Sequence, residues 1–170
     1  TNLSLTINSV INPSTTTPTS SISIYTYYED SLSIVDQLTS GFIVTATSVP
    51  FKSVLLTPAS TVVGQVGVYT LNVQLANALP MFGVMRIKVP VGSFAGTIVL
   101  QSFSIGGTNI PGCSITTLSQ MYIRLEPNCF PTSTPASTAL ICTLSNITNP
   151  TSTKPSQTWQ VETLYNDLQM

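Results

Sequence analysis

Few residues in this chain are able to do acid-base, nucleophilic or metal chemistry: six carboxylates, five basic side chains, three cysteines and no histidine. Without histidine the commonest general base and metal ligand is missing, and no Ser-His-Asp or Cys-His nucleophile can be built. The carboxylates are Glu29, Asp30, Asp36, Glu126, Glu162 and Asp167. A glycosidase pair would have to come from these, with little charged or aromatic support around it, so a positioned acid and base are not expected. Glu29, Asp30 and Asp36 cluster hard oxygen donors of the kind that bind Ca²⁺, but a solvated hairpin loop is the preferred reading. Three scattered cysteines do not make a zinc site. Gly106-Gly107 lies between strand patterns rather than before a helix, so it reads as a turn and not as a phosphate loop. The chain is expected to be no enzyme and to use no cofactor or metal.

The cysteines point instead to covalent stapling. Cys113 and Cys129 bracket a strand-turn-strand segment and are expected to bridge, closing a loop of about fifteen residues worth about 3 kcal/mol. Cys142 alternates with Leu140 and Leu144; a buried free thiol is expected there, with pairing to Cys129 as the rival. Three cysteines in a lysine-poor chain rich in Ser and Thr fit an oxidising compartment. Sugar attachment has defined candidates as well. Asn2-Leu3-Ser4 and Asn146-Ile147-Thr148 are N-linked sequons, whereas Asn12-Pro13-Ser14 and Asn149-Pro150-Thr151 are excluded by proline. Asn146 is expected to carry sugar ahead of Asn2. It shares strand parity with Leu144, which should be buried, so a turn before Ile147 must reset the face. The Ser/Thr/Pro tracts at 13–21, 131–138 and 150–156 read as O-glycan acceptors, with Ser14, Thr15, Thr16 and Thr17 as first candidates.

These residues have to be placed by strands. Charged residues make up only 6% of the 170 positions, against about 25% in an ordinary domain, and Ser and Thr fill 48 of them. With a net charge of −1, no basic surface for nucleic acid or anionic lipid is expected. No apolar run approaches the roughly 18 residues that span a bilayer, so membrane insertion is not expected. At 42% hydrophobic residues the chain is also no candidate for disorder. Period-two alternation marks strands: Tyr69, Leu71, Val73 and Leu75; Met85, Ile87 and Val89; Met121, Ile123 and Leu125. Further strands are expected at 3–10, 21–28, 42–47, 52–56, 97–105, 139–144 and 158–164, separated by Pro and Gly. Many short strands with turn punctuation predict an all-β, antiparallel β-sandwich, with a barrel as the lesser option.

One internal repeat is visible. Asn12-Pro13-Ser14-Thr15-Thr16-Thr17-Pro18 returns as Asn149-Pro150-Thr151-Ser152-Thr153-Lys154-Pro155, an offset of 137 residues. At that offset Ile22 meets Trp159, Ile24 meets Val161, Thr26 meets Thr163, Tyr28 meets Tyr165 and Asp30 meets Asp167. Ile22, Ile24, Thr26 and Tyr28, matched by Trp159, Val161, Thr163 and Tyr165, are expected to face inward. Ser23, Tyr25 and Tyr27 face outward in the first copy, and Gln160, Glu162 and Leu164 in the second. Tyr25 and Tyr27 are interface candidates, because tyrosine buries area at low entropy cost; the alternative is that both sit over their own loop.

The residues also resemble a family. Ile11-Asn12-Pro13-Ser14-Thr15-Thr16 followed by Ser20-Ser21-Ile22-Ser23-Ile24-Tyr25-Thr26-Tyr27 is similar to the ITNP-ST-x-PTSSF-x-I-x-TYD stretch of large tandem-repeat surface proteins of ciliates and other protists. Thr57-Pro58-Ala59-Ser60-Thr61-Val62-Val63-Gly64 resembles its TPSS-x-x-VG opening, and Phe82-Gly83-Val84-Met85-Arg86-Ile87-Lys88-Val89-Pro90 its GG-x-I-x-I-x-FP strand, with Phe82 in place of the first glycine. Cys113 and Cys129 resemble its cysteine pair; Cys142 is extra. The resemblance implies immunoglobulin-like sandwich units in long extracellular proteins and no catalytic activity.

Together these readings predict an immunoglobulin-like antiparallel β-sandwich over residues 48–170. Residues 1–47 form an arm of strands that belongs to a preceding unit or contacts a neighbouring one. The expected role is a structural, glycosylated subunit of an extracellular fibril, sheath or surface coat, assembling with itself head to tail. The alternative is a cell-surface adhesin that binds glycans or protein.

Overall fold

The structure is a computed structural model that describes residues 6–8, 13, 15–28, 33–119, 121–154, 158–165 and 168–169. The chain divides into two compact units, Thr1–Thr47 and Ser48–Met170.

In the first unit, β1 (Ile22–Tyr27) pairs antiparallel with β2 (Ile34–Phe42). Ile24 stands opposite Leu38, Tyr25 opposite Gln37 and Thr26 opposite Asp36. The register slips between Ile22 and Ile24, where Gly41 lies against the Ile22 backbone so closely that an added Cβ would overlap the Ile22 carbonyl oxygen. Only glycine closes this ladder. Two expectations need correction here. Residues 43–47 are irregular, and the strand runs before them over Ile34–Phe42; Asp36 and the Gly41 bulge break the alternation that would have marked it. Of the strand expected at 3–10, only 6–8 fall among the described residues, and these are not in a strand.

The second unit is built from two five-stranded sheets. The strands are β3 (Ser53–Pro58), β4 (Val66–Gln74), β5 (Val84–Lys88), β6 (Phe94–Ile105), β7 (Thr108–Asn109), β8 (Ile115–Ser119), β9 (Tyr122–Leu125), β10 (Ala139–Thr148), β11 (Gln160–Tyr165) and β12 (Leu168–Gln169). One sheet has the order β3-β4-β10-β6-β7 and the other β12-β11-β5-β9-β8. Every described pairing is antiparallel, so the fold is an all-β antiparallel sandwich.

Alternation explains the core. Leu71, Val73, Leu140, Cys142 and Leu144 come from the first sheet, and Met85, Ile87, Ile123 and Leu125 from the second; all are buried in one cluster. Each such aliphatic side chain contributes about 1.5–3 kcal/mol by leaving water. Phe103 and Phe130 meet edge to face between the sheets, with ring centroids 5.4 Å apart. A single 3-10 turn at Pro127–Cys129 delivers Phe130 to that contact.

One facing was different from expectation. Leu164 does not look out to solvent with Gln160 and Glu162; it is 4% exposed. It stands opposite Val84, itself buried, while β12 pairs with the same end of β11. Two apolar side chains on neighbouring strands cover each other there, on the side away from Met85 and Ile87.

Candidate interaction surfaces

The described residues contain no group of three or more carboxylates, cysteines or histidines able to hold a metal. A cleft between 48–51 and β11 is lined by Val49, Phe51, Val161, Glu162 and Thr163. Its one carboxylate, Glu162, accepts a hydrogen bond from Arg86 Nε at 2.5 Å, so the cleft presents no acid-base pair. Of the proposed Ca²⁺ ligands, Glu29 and Asp30 lie outside the described residues. Asp36 is engaged by Thr26, whose hydroxyl donates to Oδ2 at 3.3 Å and accepts from the Asp36 amide at 3.0 Å. Among the described residues no helix is long and apolar enough to cross a membrane.

The β1–β2 sheet is the first surface of interest. Tyr25 and Tyr27 stand 6.1 Å apart, ring centre to ring centre, and are 39% and 54% exposed. Ile22 and Ile24, expected to face inward, are exposed as well, as are Ile34, Val35, Leu38 and Phe42. Among the described residues of its own unit, side chains on both faces of this sheet are exposed.

The outer face of the second sheet is the other. Arg86 and Lys88 of β5 alternate with core residues and stand opposite Arg124 and Tyr122 of β9. Arg86 lies 5.5 Å and Lys88 5.7 Å from the centre of the Tyr122 ring, within cation–π range. Glu162 pairs with Arg86 at 2.5 Å and Glu126 with Arg124 at 3.7 Å. Gln160 extends the row opposite Lys88. The result is a flat, polar and aromatic strip on a sheet whose other side is the core.

The repeated Asn-Pro motif has a structural use that its sequence position did not reveal. Asn149 is 5% exposed and spends its side chain on three partners. Its Nδ2 donates to the Ser60 and Val62 carbonyls at 2.8 and 2.7 Å, and its Oδ1 accepts from the Tyr69 hydroxyl at 2.5 Å. Backbone bonds from Asn149 N to Gln65 O and from Gly64 N to Pro150 O complete the clamp. Trp159, ten residues further on, stacks on Tyr69 at 5.5 Å. The motif therefore ties the β3–β4 loop and the segment before β11 to one tyrosine. Its counterpart Asn12 lies outside the described residues. The recurrence of Asn-Pro at both ends was the only signal available in the sequence.

The modification candidates fall as follows. Cys113 and Cys129 form a disulfide, S–S 2.01 Å, and Cys142 is a buried free thiol. Burial pushes the Cys142 thiol up to about 12. Between about pH 9, its ordinary value, and about pH 12 the unfolded chain loses this proton and the folded chain keeps it. The contribution is neutral below pH 9 and turns against folding as pH rises. Stability of a Cys142→Ala variant is accordingly expected to fall less steeply over that window than that of the parent, measured by denaturant unfolding at stepped pH; parallel slopes would reject this.

Asn146 is exposed, with φ +64° and its Nδ2 donating to Thr97 O at 2.8 Å. The ladder shifts register between Leu144 and Ile147, both of which stay buried. N-linkage leaves one hydrogen on Nδ2, enough to keep the Thr97 contact. Thr17 is exposed, and Thr15 and Thr16 are half-buried; Asn2 and Ser14 lie outside the described residues.

What the sheets and these surfaces define is an antiparallel β-sandwich module stapled by one disulfide. No family model and no curated protein matches the chain. Similar solved structures include a family 3a carbohydrate-binding module from the cipA scaffolding of Clostridium thermocellum, at 11% identity over 69% of this chain and 97% of that one, TM-score 0.42. A CBM3a-L domain with flanking linkers from the same scaffoldin gives 13% identity over 68% and 86%, TM-score 0.44. A CBM3 of Hungateiclostridium clariflavum gives 12% identity over 71% and 96%, TM-score 0.38. At these values the likeness carries no argument about function.

Proposed function

We propose that this chain is a structural module of an extracellular filament, sheath or surface coat, assembling head to tail with copies of itself. The observation that supports this is the uncovered β1–β2 sheet. A two-stranded sheet is marginal on its own in water. Here Ile22, Ile24, Tyr27, Ile34, Val35, Leu38 and Phe42 are each at least 44% exposed, an arrangement that favours association. When one part of a copy seats on a different part of the next, the contact does not close on itself and the product is a filament. The disulfide and the Asn146 sequon support an extracellular, glycosylated setting, with sugar on Asn146 and on one or more of Ser14, Thr15, Thr16 and Thr17.

The second reading is an adhesin or glycan-binding module. The Tyr122 strip favours it: an aromatic ring between Arg86 and Lys88 on a flat sheet face offers stacking and polar contacts to a sugar chain.

One preparation tests both. Among the described residues the core cluster draws on positions after Ser48, so residues 48–170 keep those contacts when the arm is removed. The full chain, made in a glycosylating secretory host, is expected to sediment as species that grow with concentration, and residues 48–170 as a monomer. Its intact mass is expected to exceed the polypeptide's and to drop in Asn146→Gln. Monomers in both cases overturn the structural reading. Retention of the monomer on polysaccharide then supports the second reading, and a bare polypeptide mass rejects the glycans.

A further inference from the structure

The charged residues are divided unevenly between the two units. Residues 1–47 contain Glu29, Asp30 and Asp36 and neither Lys nor Arg, a net charge of −3. Residues 48–170 contain Lys52, Arg86, Lys88, Arg124 and Lys154 against Glu126, Glu162 and Asp167, a net charge of +2. In a chain with so few charges this segregation concentrates opposite signs on an acidic arm and a basic sandwich.

Three of the five cations stand on one face. Arg86 is directly opposite Arg124, and Lys88 is directly opposite Tyr122. Like charges at directly opposed strand positions cost stability, so this placement is not explained by the sheet's own needs. Glu162 and Glu126 offset the two arginines. Lys88 has no such carboxylate: among the described residues it forms no ion pair, and its ammonium lies over the Tyr122 ring. Counted over the described residues, the face keeps a net positive charge beside an aromatic surface.

The arm is the complement. Asp36 is exposed on β2, and Glu29 and Asp30 fall between β1 and β2 in the sequence. Tyr25, Tyr27 and the aliphatic side chains around them are exposed on the same two-stranded sheet.

We propose that the Arg86–Lys88–Tyr122–Arg124 face receives the acidic β1–β2 arm of a second copy of this chain. The inference rests on the self-assembly reading and adds to it the surface that receives the arm. A second copy is the occupant because this chain carries both halves of the match: an arm sequence with three carboxylates and no cation, one of them on a sheet that needs cover, and a cationic strip with a tyrosine to lie against. Opposed charges of this kind set register and speed encounter more than they add affinity, while the apolar side chains of the arm supply the contact area. The contact weakens with salt, because at physiological ionic strength charges more than about 8 Å apart are screened.

The test is sedimentation of the full chain at low and high salt with three charge variants. Lys88→Glu is expected to weaken association about tenfold at low salt. Lys154→Glu, the same change of net charge elsewhere, is expected to weaken it less than about twofold. Asp36→Lys combined with Lys88→Glu in one chain is expected to regain most of the loss, since each copy both gives and receives; circular dichroism checks that all three fold. Equal losses for Lys88→Glu and Lys154→Glu, or a double variant that associates no better than Lys88→Glu alone, overturn the proposal. If association needs residues 1–47 but ignores Lys88, the arm docks elsewhere and only the receiving face is wrong. If the parent chain never associates, the self-assembly reading itself fails. Normal association of Lys88→Glu with lost retention on an acidic polysaccharide would make the face a glycan site and overturn the proposal.

Discussion

Asn149→Ala is expected to lower the stability of the sandwich by about 3 kcal/mol, because it leaves the Tyr69 hydroxyl and the Ser60 and Val62 carbonyls without the partner that now satisfies all three. The site is nearly closed to solvent, Asn149 being 5% exposed and Tyr69 7%, so water does not readily replace the lost bonds. Burial raises the Tyr69 phenol above its ordinary value, which keeps the hydroxyl protonated and donating. Tyr69→Phe should cost less, about 1 kcal/mol, since it removes one donor and leaves Asn149 bonded to both carbonyls. Asn149→Asp separates the donor role from the acceptor role. Its carboxylate faces two carbonyl oxygens and has no hydrogen to give, so the folded state favours the protonated acid. The stability of that variant is expected to be best at low pH and to fall as pH rises through the carboxylate range. Denaturant unfolding of the three variants at pH 3 to 8 measures this. A loss under about 1 kcal/mol for Asn149→Ala would mean that the clamp is dispensable.

The second large effect is at the disulfide. Cys113→Ser with Cys129→Ser is expected to destabilise the module by about 3 kcal/mol, the entropy of a loop of about 16 residues released into the unfolded chain. A native-state term adds to it. Cys129 is fully buried, and the next residue, Phe130, is held against Phe103 in the core; a serine hydroxyl at position 129 would sit in that apolar setting. Its nearest acceptor is the Ser114 carbonyl, 3.3 Å from Sγ in the present structure. Unfolding of the double variant, compared with the parent under non-reducing conditions, measures the sum. Non-reducing peptide mapping provides the independent check: Cys142 should be the residue alkylated after unfolding without reductant. Recovery of Cys113 as the free thiol instead would contradict the pairing.

Much of the sandwich was legible from the order of residues alone, because a strand buries alternate positions and leaves the pattern in the sequence. Tyr69–Leu75, Met85–Val89 and Ile123–Leu125 alternate cleanly, and each lies with one face in the core. The absence of histidine likewise limited the chemistry before any fold was known. What composition and period cannot express is a break in period. Asn146 shares parity with Leu144 yet is exposed, since the ladder shifts register and the residue takes a left-handed conformation there. Strand β2 leaves no clean alternation in the sequence because Gly41 and the register slip beside Ile22 interrupt it. Leu164 looked like an outward residue and is buried against Val84, a contact that depends on two strands 80 residues apart in sequence meeting side by side.

The clamp at Asn149 and the charged strip belong to the same class of feature. Three hydrogen bonds to residues 80 to 89 positions away decide the role of Asn149, and the repeated Asn-Pro pair showed only that the position mattered. Arg86, Lys88, Tyr122 and Arg124 become one surface only because β5 and β9 are neighbours in a sheet. The sequence determined by itself that this chain is a β protein without histidine, since residue type and periodicity are local properties. Tertiary structure alone decided which polar groups are buried together and which cations share a face, since strand order and register are set by the packing of the whole core.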